Sequence, residues 1–122
     1  MGRYITKVVQ LKPEIKSYDC VDYDPIESHE FDDNFDVTFW MNFTIGLSNS
    51  VGGDNFLVRI ATYNNIELTE SIDHTILLDE YSFPQVLSEV DDLLSKCQGN
   101  NWEEISSKLS KYMHWEFQDY QP

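Results

Sequence analysis

The residues best equipped for chemistry in this chain are carboxylates, crowded into a stretch that has no cation. Between Lys16 and Arg59 there is no lysine or arginine, yet that interval holds nine acidic side chains. Eight of them fall within residues 19–36, here called the acidic segment: Asp19, Asp22, Asp24, Glu27, Glu30, Asp32, Asp33 and Asp36. Because these like charges repel one another, the segment favours a positively charged partner, although a solvated, solubilising face has the same composition.

Clustered carboxylates support two kinds of chemistry. One is electrostatic attraction to a basic protein surface, which speeds encounter and selects the partner. The other is coordination of a divalent cation, as in a metal-dependent hydrolase, and this requires convergent geometry. Asp22-Tyr23-Asp24 resembles the start of a calcium loop, but Ile26 stands at the fifth position and the required glycine is missing.

Other catalytic patterns are absent from the sequence. The three histidines have no metal-ligand spacing with each other or with the two cysteines, and there is no G-x-S-x-G or P-loop pattern. We therefore expect no catalytic residue, no metal site and no cofactor. Two widely separated cysteines do not make a disulfide framework, and Cys97 is predicted to be a buried free thiol.

Charge and length limit the class of protein further. The 122 residues carry a formal net charge of −14, which argues against direct binding to nucleic acid or to anionic membrane. No apolar stretch approaches the roughly 20 residues of a membrane span. The aromatic content is too high for a disordered acidic tail, so we predict a single packed domain over residues 1–122. Residues 1–16 are interspersed with lysine and arginine and lack the apolar core of a signal peptide, so we expect the protein in the cytoplasm.

Strands are predicted in the first two thirds of the chain. Residues 4–12 alternate loosely, residues 17–34 have no sustained period and indicate a long loop, and residues 35–47 are apolar at every second position. A glycine-containing turn over 48–54 then leads to a second strand, 56–63, as the hairpin partner. A short apolar strand is predicted at 75–78.

Two amphipathic helices follow. The first is predicted to begin at Ser82, with Gln85 completing a capping box, and to stop at Gly99; the second begins at Asn101, with Glu104 three residues later. Residues 115–120 alternate aromatic and polar side chains and indicate a final short strand or an extended segment. Strands first and helices last predict an α+β fold, an antiparallel sheet with two C-terminal helices packed on one face.

The ending of the chain carries a family resemblance. An amphipathic helix, a glycine, a helix led by Trp102, and then Trp115-Glu116-Phe117-Gln118-Asp119-Tyr120 resemble the immunity protein 8 family of bacterial polymorphic toxin systems. The resemblance implies a cytosolic protein that neutralises a cognate toxin domain by occlusion and has no catalysis of its own. The toxin, often a nuclease, is delivered by a neighbouring cell, as in contact-dependent growth inhibition.

Large aromatics at helical or alternating spacing usually pack inward, so four residues of this ending are predicted to be core anchors: Trp102, Trp115, Phe117 and Tyr120. Glu116 and Asp119 are expected to pair with nearby lysines or backbone donors, or to face solvent.

Our hypothesis is that the eight carboxylates of the acidic segment cover the basic groove of a toxin that is an RNase or a DNase. The rivals are a carboxylate metal-dependent hydrolase and an acidic nucleic-acid mimic that acts as an adaptor. If the toxin binds elsewhere, the later acidic residues are the next candidates: Asp54, Glu67, Glu70 and Asp73.

Overall fold

The sheet is built around the long alternating strand that the sequence predicts. The computed structural model describes residues 10–67 and 69–118. In it, β2 spans Thr38–Leu47 and pairs antiparallel with β3, Asp54–Thr62, so the predicted hairpin is confirmed. Five alternate side chains at or just before β2 are buried: Val37, Phe39, Met41, Phe43 and Ile45. Phe35, the first residue of the predicted alternation, lies outside the strand and is exposed.

The first described strand differs from the sequence prediction. β1 spans Pro13–Asp19, so it begins where the predicted strand ended and includes the first residues of the predicted loop 17–34. Residues 4–9 of the predicted strand lie outside the described residues. Proline is tolerated as the first residue of a strand, so Pro13 begins β1 without interrupting its pairing.

A bulge explains why the pattern of β1 was missed. β1 pairs antiparallel with β2, and the register shifts between Ile15 and Ser17. Because of the shift, Ile15 and Tyr18 both pack against the core although they are three residues apart. A β-bulge inserts one residue and so breaks the two-residue period by which a strand is recognised.

Two short strands complete the sheet beside β3. β4, Thr75–Leu78, runs parallel to the second half of β3, and β5, His114–Trp115, runs antiparallel to its first half. The strand order is β1-β2-β3-β4, with β5 also on β3. The predicted α+β fold is confirmed, and the sheet is antiparallel except at β4. Residues 63–74 return the chain along β3 before β4 begins, so β3 and β4 run in the same direction.

Both helices begin at their predicted caps. α1 spans Phe83–Ser95, and the Ser82 side chain accepts the Gln85 backbone N–H. α2 spans Trp102–Leu109, and Asn101 accepts the N–H of Glu104. Such caps satisfy donors that have no partner within the helix. Neither helix has the length and apolar character that crossing a membrane demands, and these are the only α-helices of the described residues.

One cluster of apolar side chains fills the space between the sheet and the helices. Its helical members are Val86, Val90, Leu94, Ile105 and Leu109. Cys20 and Cys97 are both buried free thiols, and burial raises the pKa of Cys97. The opposite side of the sheet, here called the outer face, presents alternate residues of β2 and β3: Thr38, Trp40, Asn42, Thr44, Asn55, Leu57 and Arg59.

Candidate functional site

The acidic segment forms the connection between β1 and β2 and presents all of its carboxylates to solvent. Every one of the eight predicted site residues is exposed. The first, Asp19, is the last residue of β1, and the last, Asp36, lies two residues before β2. Folding therefore removes none of these eight carboxylates from solvent.

Apolar side chains hold the backbone of the acidic segment against the core. Cys20 and Ile26 are buried, while Tyr23 and Phe31 pack against the core cluster from its edge. The Phe31 ring stacks on Phe39 with 5.6 Å between the ring centroids. These contacts alternate with the carboxylates along the chain, so the charges project from an anchored backbone.

Thr62 fastens the end of the segment to β3. Its hydroxyl donates to the Phe35 carbonyl oxygen at 2.8 Å and accepts the Val37 backbone N–H at 3.0 Å. The Thr62 side chain is buried, and a buried hydroxyl is costly unless it is hydrogen-bonded. The chain therefore enters β2 from a fixed position.

The charge of the acidic segment is not neutralised within the described residues. Ion pairs over residues 10–67 and 69–118 join Lys16 to Glu14, Arg59 to Glu70 and Lys108 to Glu104, and none includes the acidic segment. Unpaired carboxylates of one sign raise the local concentration of cationic partners and speed their association. Within the described residues, the segment is therefore a negative surface whose charge no ion pair offsets.

The eight carboxylates occupy different surroundings. Glu27 and Glu30 line a cleft of about 420 Å³ between the segment and the start of α1. Asp33 accepts the Phe35 backbone N–H at 2.9 Å, which shapes a local turn. Asp19 and Asp36 hydrogen-bond to asparagines of the sheet and its loops, so the acidic surface continues onto the outer face.

A hydrogen-bonded ladder crosses the outer face from Asp19 to Glu116. Asn42 donates to Asp19 at 3.0 Å and to Asn55 at 3.2 Å. Asn55 in turn donates to Glu116 through its backbone N–H at 2.8 Å and through its side-chain amide at 3.2 Å. Thr44 adds a 2.8 Å bond to Asn55. Of the alternatives that the sequence left open for Glu116, the structure shows a bond from a backbone donor on a residue that is also exposed to solvent. Asp119 and Tyr120 lie outside the described residues.

Two of the four later acidic residues, Asp54 and Glu70, have side chains engaged in the fold, while Glu67 and Asp73 are exposed. Asp54 accepts the indole N–H groups of Trp102 and Trp115, and Glu70 pairs with Arg59. The Glu67 backbone N–H, and then Arg59, lower the pKa of the Glu70 carboxyl. Asp54 and Glu70 are thus less available to a partner than the acidic segment.

Metal coordination has no matching geometry in the part of the chain that is described. There, no three side chains of histidine, cysteine, aspartate or glutamate converge where they could hold an ion. The rings of His74 and His114 lie 6.0 Å apart, and His29 packs against Tyr23 and Phe31. The carboxylates of the acidic segment form an open charged surface and do not converge on a coordination site within the described residues.

Comparison with known proteins places the chain among the immunity proteins. The family described as Immunity protein 8 matches residues 13–120, and the chain belongs to that family. The match confirms the resemblance carried by the ending and also spans the whole acidic segment, which the ending alone did not cover. No curated protein and no solved structure matches the chain.

Proposed function

We propose that this protein neutralises a cognate toxin domain by covering the toxin's basic substrate groove with the acidic segment. The observation that carries the proposal is the exposure of all eight carboxylates on an anchored segment of an immunity protein. Inhibition is by occlusion, and the chain contributes no catalytic group. The toxin is the C-terminal domain of a polymorphic toxin such as those of contact-dependent growth inhibition.

The charge of the acidic segment favours a nuclease as the target. RNases and DNases bind phosphate backbones, so their substrate grooves carry lysine and arginine. A surface rich in carboxylates is complementary to such a groove, and complementary charge accelerates association. Fast association suits an immunity protein, because free toxin must be captured before it reaches nucleic acid in the cytoplasm.

The anchoring of the segment supports an interface that is ordered in advance. Tyr23 and Phe31 pack against the core, and Thr62 holds the approach to β2. Ordering a flexible loop on binding lowers affinity, so a loop that is already ordered retains more of the interaction free energy. We expect the acidic segment to keep its conformation in the complex.

The direct test is rescue of growth. The toxin domain encoded beside the gene for this chain is expressed in a bacterial host with and without the chain. The proposal predicts arrest with the toxin alone and growth with both. Arrest in both cultures, with the chain shown to be soluble and abundant, would contradict the assignment.

A further inference from the structure

We propose that the outer face of the sheet is the apolar centre of the toxin interface, with Trp40 as its anchor. This inference rests on the proposed function and adds a second, uncharged part to the binding surface. The helices cover only one side of the sheet, and the apolar side chains at the middle of the other side stay exposed. Trp40 is 45% exposed and Leu57 is 39% exposed.

Trp40 and Leu57 lie on the same face of the hairpin, in successive outer-face pairs. Trp40 is paired with Arg59, and Leu57 is two residues before Arg59 on the same strand, so the two apolar side chains are diagonal neighbours. Trp40 occupies a position of the β2 alternation that is otherwise polar, between Thr38 and Asn42. Trp40 lies outside the core cluster and keeps almost half of its surface exposed among threonines and asparagines, and tryptophan is enriched among residues that dominate binding energy.

The surroundings of Trp40 resemble the rim of a protein interface. The ladder from Asp19 through Asn42 and Asn55 to Glu116 fixes polar groups beside the apolar pair. Interfaces typically place an apolar centre within a polar rim that keeps water out. Because the ladder is already hydrogen-bonded, few of these side chains need to be ordered on binding.

Charge identifies the occupant as the same basic partner that the acidic segment attracts. The cation of this face, Arg59, is paired with Glu70, and exposed carboxylates stand at both ends of the ladder. Asp19 belongs to the acidic segment as well as to the ladder, so the two surfaces are continuous. The carboxylates that would attract a cationic toxin domain therefore adjoin the apolar residues that would anchor it. A second copy of this acidic chain would be repelled.

Substitution of Trp40 separates this inference from the proposed function. The probe is the toxin domain encoded beside the gene for this chain, inactivated at its catalytic residue. We expect Trp40→Ala to raise the Kd about tenfold or more. Loss of an anchor side chain leaves the association rate almost unchanged but weakens the docked complex, so the increase comes mainly from faster dissociation. The control is Tyr112→Ala, an aromatic residue after α2 that is 41% exposed, for which we expect a change below about twofold.

Each result of this titration has a definite meaning. Unchanged affinity of Trp40→Ala beside tight wild-type binding would overturn the inference and leave the proposed function standing. Absence of binding by the wild-type chain would overturn both. A concentration-dependent dimer of the wild-type chain that Trp40→Ala abolishes would overturn the inference by making a second copy the occupant.

A measurement on the wild-type sequence covers the case in which Trp40→Ala fails to fold. The chain is labelled with 5-fluorotryptophan, and the Trp40 fluorine resonance is assigned from a Trp40→Phe variant. Addition of the unlabelled inactive toxin domain should shift the Trp40 resonance, while those of Trp102 and Trp115, which bond to Asp54 inside the fold, should move little. A Trp40 resonance that stays in place in the saturated complex would overturn the inference.

Discussion

Trp102 and Trp115 donate their indole N–H groups to the same oxygen, Oδ2 of Asp54, at 2.8 and 3.0 Å. Trp102 begins α2, Trp115 lies in β5 and Asp54 begins β3, so one carboxylate joins three elements. Both indoles also contact the Phe56 ring. The part of the chain that carries the family resemblance therefore acts as an internal anchor. Phe117 contacts Trp115 but is 41% exposed, so the core role predicted for it is wrong.

Removal of the shared acceptor should destabilise the fold. Asp54→Ala leaves two partly buried indole N–H groups without their acceptor, and we expect it to lower the free energy of unfolding by on the order of 2 kcal/mol. Asp54→Asn keeps an oxygen acceptor in the same shape and should lose less. Urea denaturation of the three proteins measures the difference. Equal midpoints for Asp54→Ala and the wild type would show that the indole bonds are not stabilising.

The turn between β2 and β3 offers a matched pair of glycines. A Cβ atom on Gly53 would lie 2.4 Å from the Ile45 carbonyl oxygen, whereas one on Gly52 would meet nothing within 4 Å. The first contact is with backbone and cannot be relieved by a side-chain movement. We expect Gly53→Ala to cost about 2 kcal/mol or more and Gly52→Ala to stay within about 0.5 kcal/mol of the wild type. Thermal denaturation of both variants checks the ranking, which equal melting temperatures would refute.

The predictable elements were those in which local pattern and tertiary packing agree. β2 keeps a strict two-residue period because one of its faces is buried and the other is not, and each helix has a capping side chain next to its apolar stripe. Sequence alone could not place β1, because the bulge at Ile15 and Ser17 disturbs the period. It could not give the direction of β4 either, because four apolar residues read the same in a parallel and an antiparallel pair.

Only the negative charge of the candidate site was predictable from the sequence. The run of carboxylates is visible in the sequence, but the ladder that joins Asp19 to Glu116 links residues almost one hundred positions apart and appears only when β1, β2, β3 and β5 align. One local signal was available for Trp40. It stands in the polar phase of the β2 alternation, where an aromatic residue is out of pattern.

Because of Tyr81, we expect the free energy of unfolding to fall as the pH becomes alkaline. Its side chain is buried, its hydroxyl has no hydrogen-bond partner among the described residues, and burial raises its pKa to about 12, with the nearby Cys20 adding to the shift. The folded state then holds this proton more tightly than the unfolded state, whose tyrosine titrates near 10. The contribution of the neutral phenol is therefore complete below about pH 10 and is lost as the pH rises from about 10 to about 12.

The variant Tyr81→Phe isolates this effect. It removes the unpartnered hydroxyl and keeps the ring contacts with Phe31 and Phe39. We expect it to be as stable as the wild type or more stable near neutral pH, and to lose less stability between about pH 10 and about pH 11. Urea denaturation at each pH gives the comparison. Parallel losses in the two proteins would mean that Tyr81 does not titrate with unfolding.

The most direct test of the central claim is the affinity of the toxin domain for a charge-reversed acidic segment. Asp32→Lys with Asp33→Lys changes two exposed carboxylates of the segment, and Asp91→Lys with Asp92→Lys makes the same change of net charge on exposed residues of α1. We predict that, in about 50 mM salt, the first pair raises the Kd about tenfold or more, mainly by slowing association, and that this loss shrinks as screening increases. The α1 pair should stay within about threefold of the wild type. Equal effects of the two pairs, or wild-type affinity for the segment pair, would contradict the claim that the acidic segment binds the toxin.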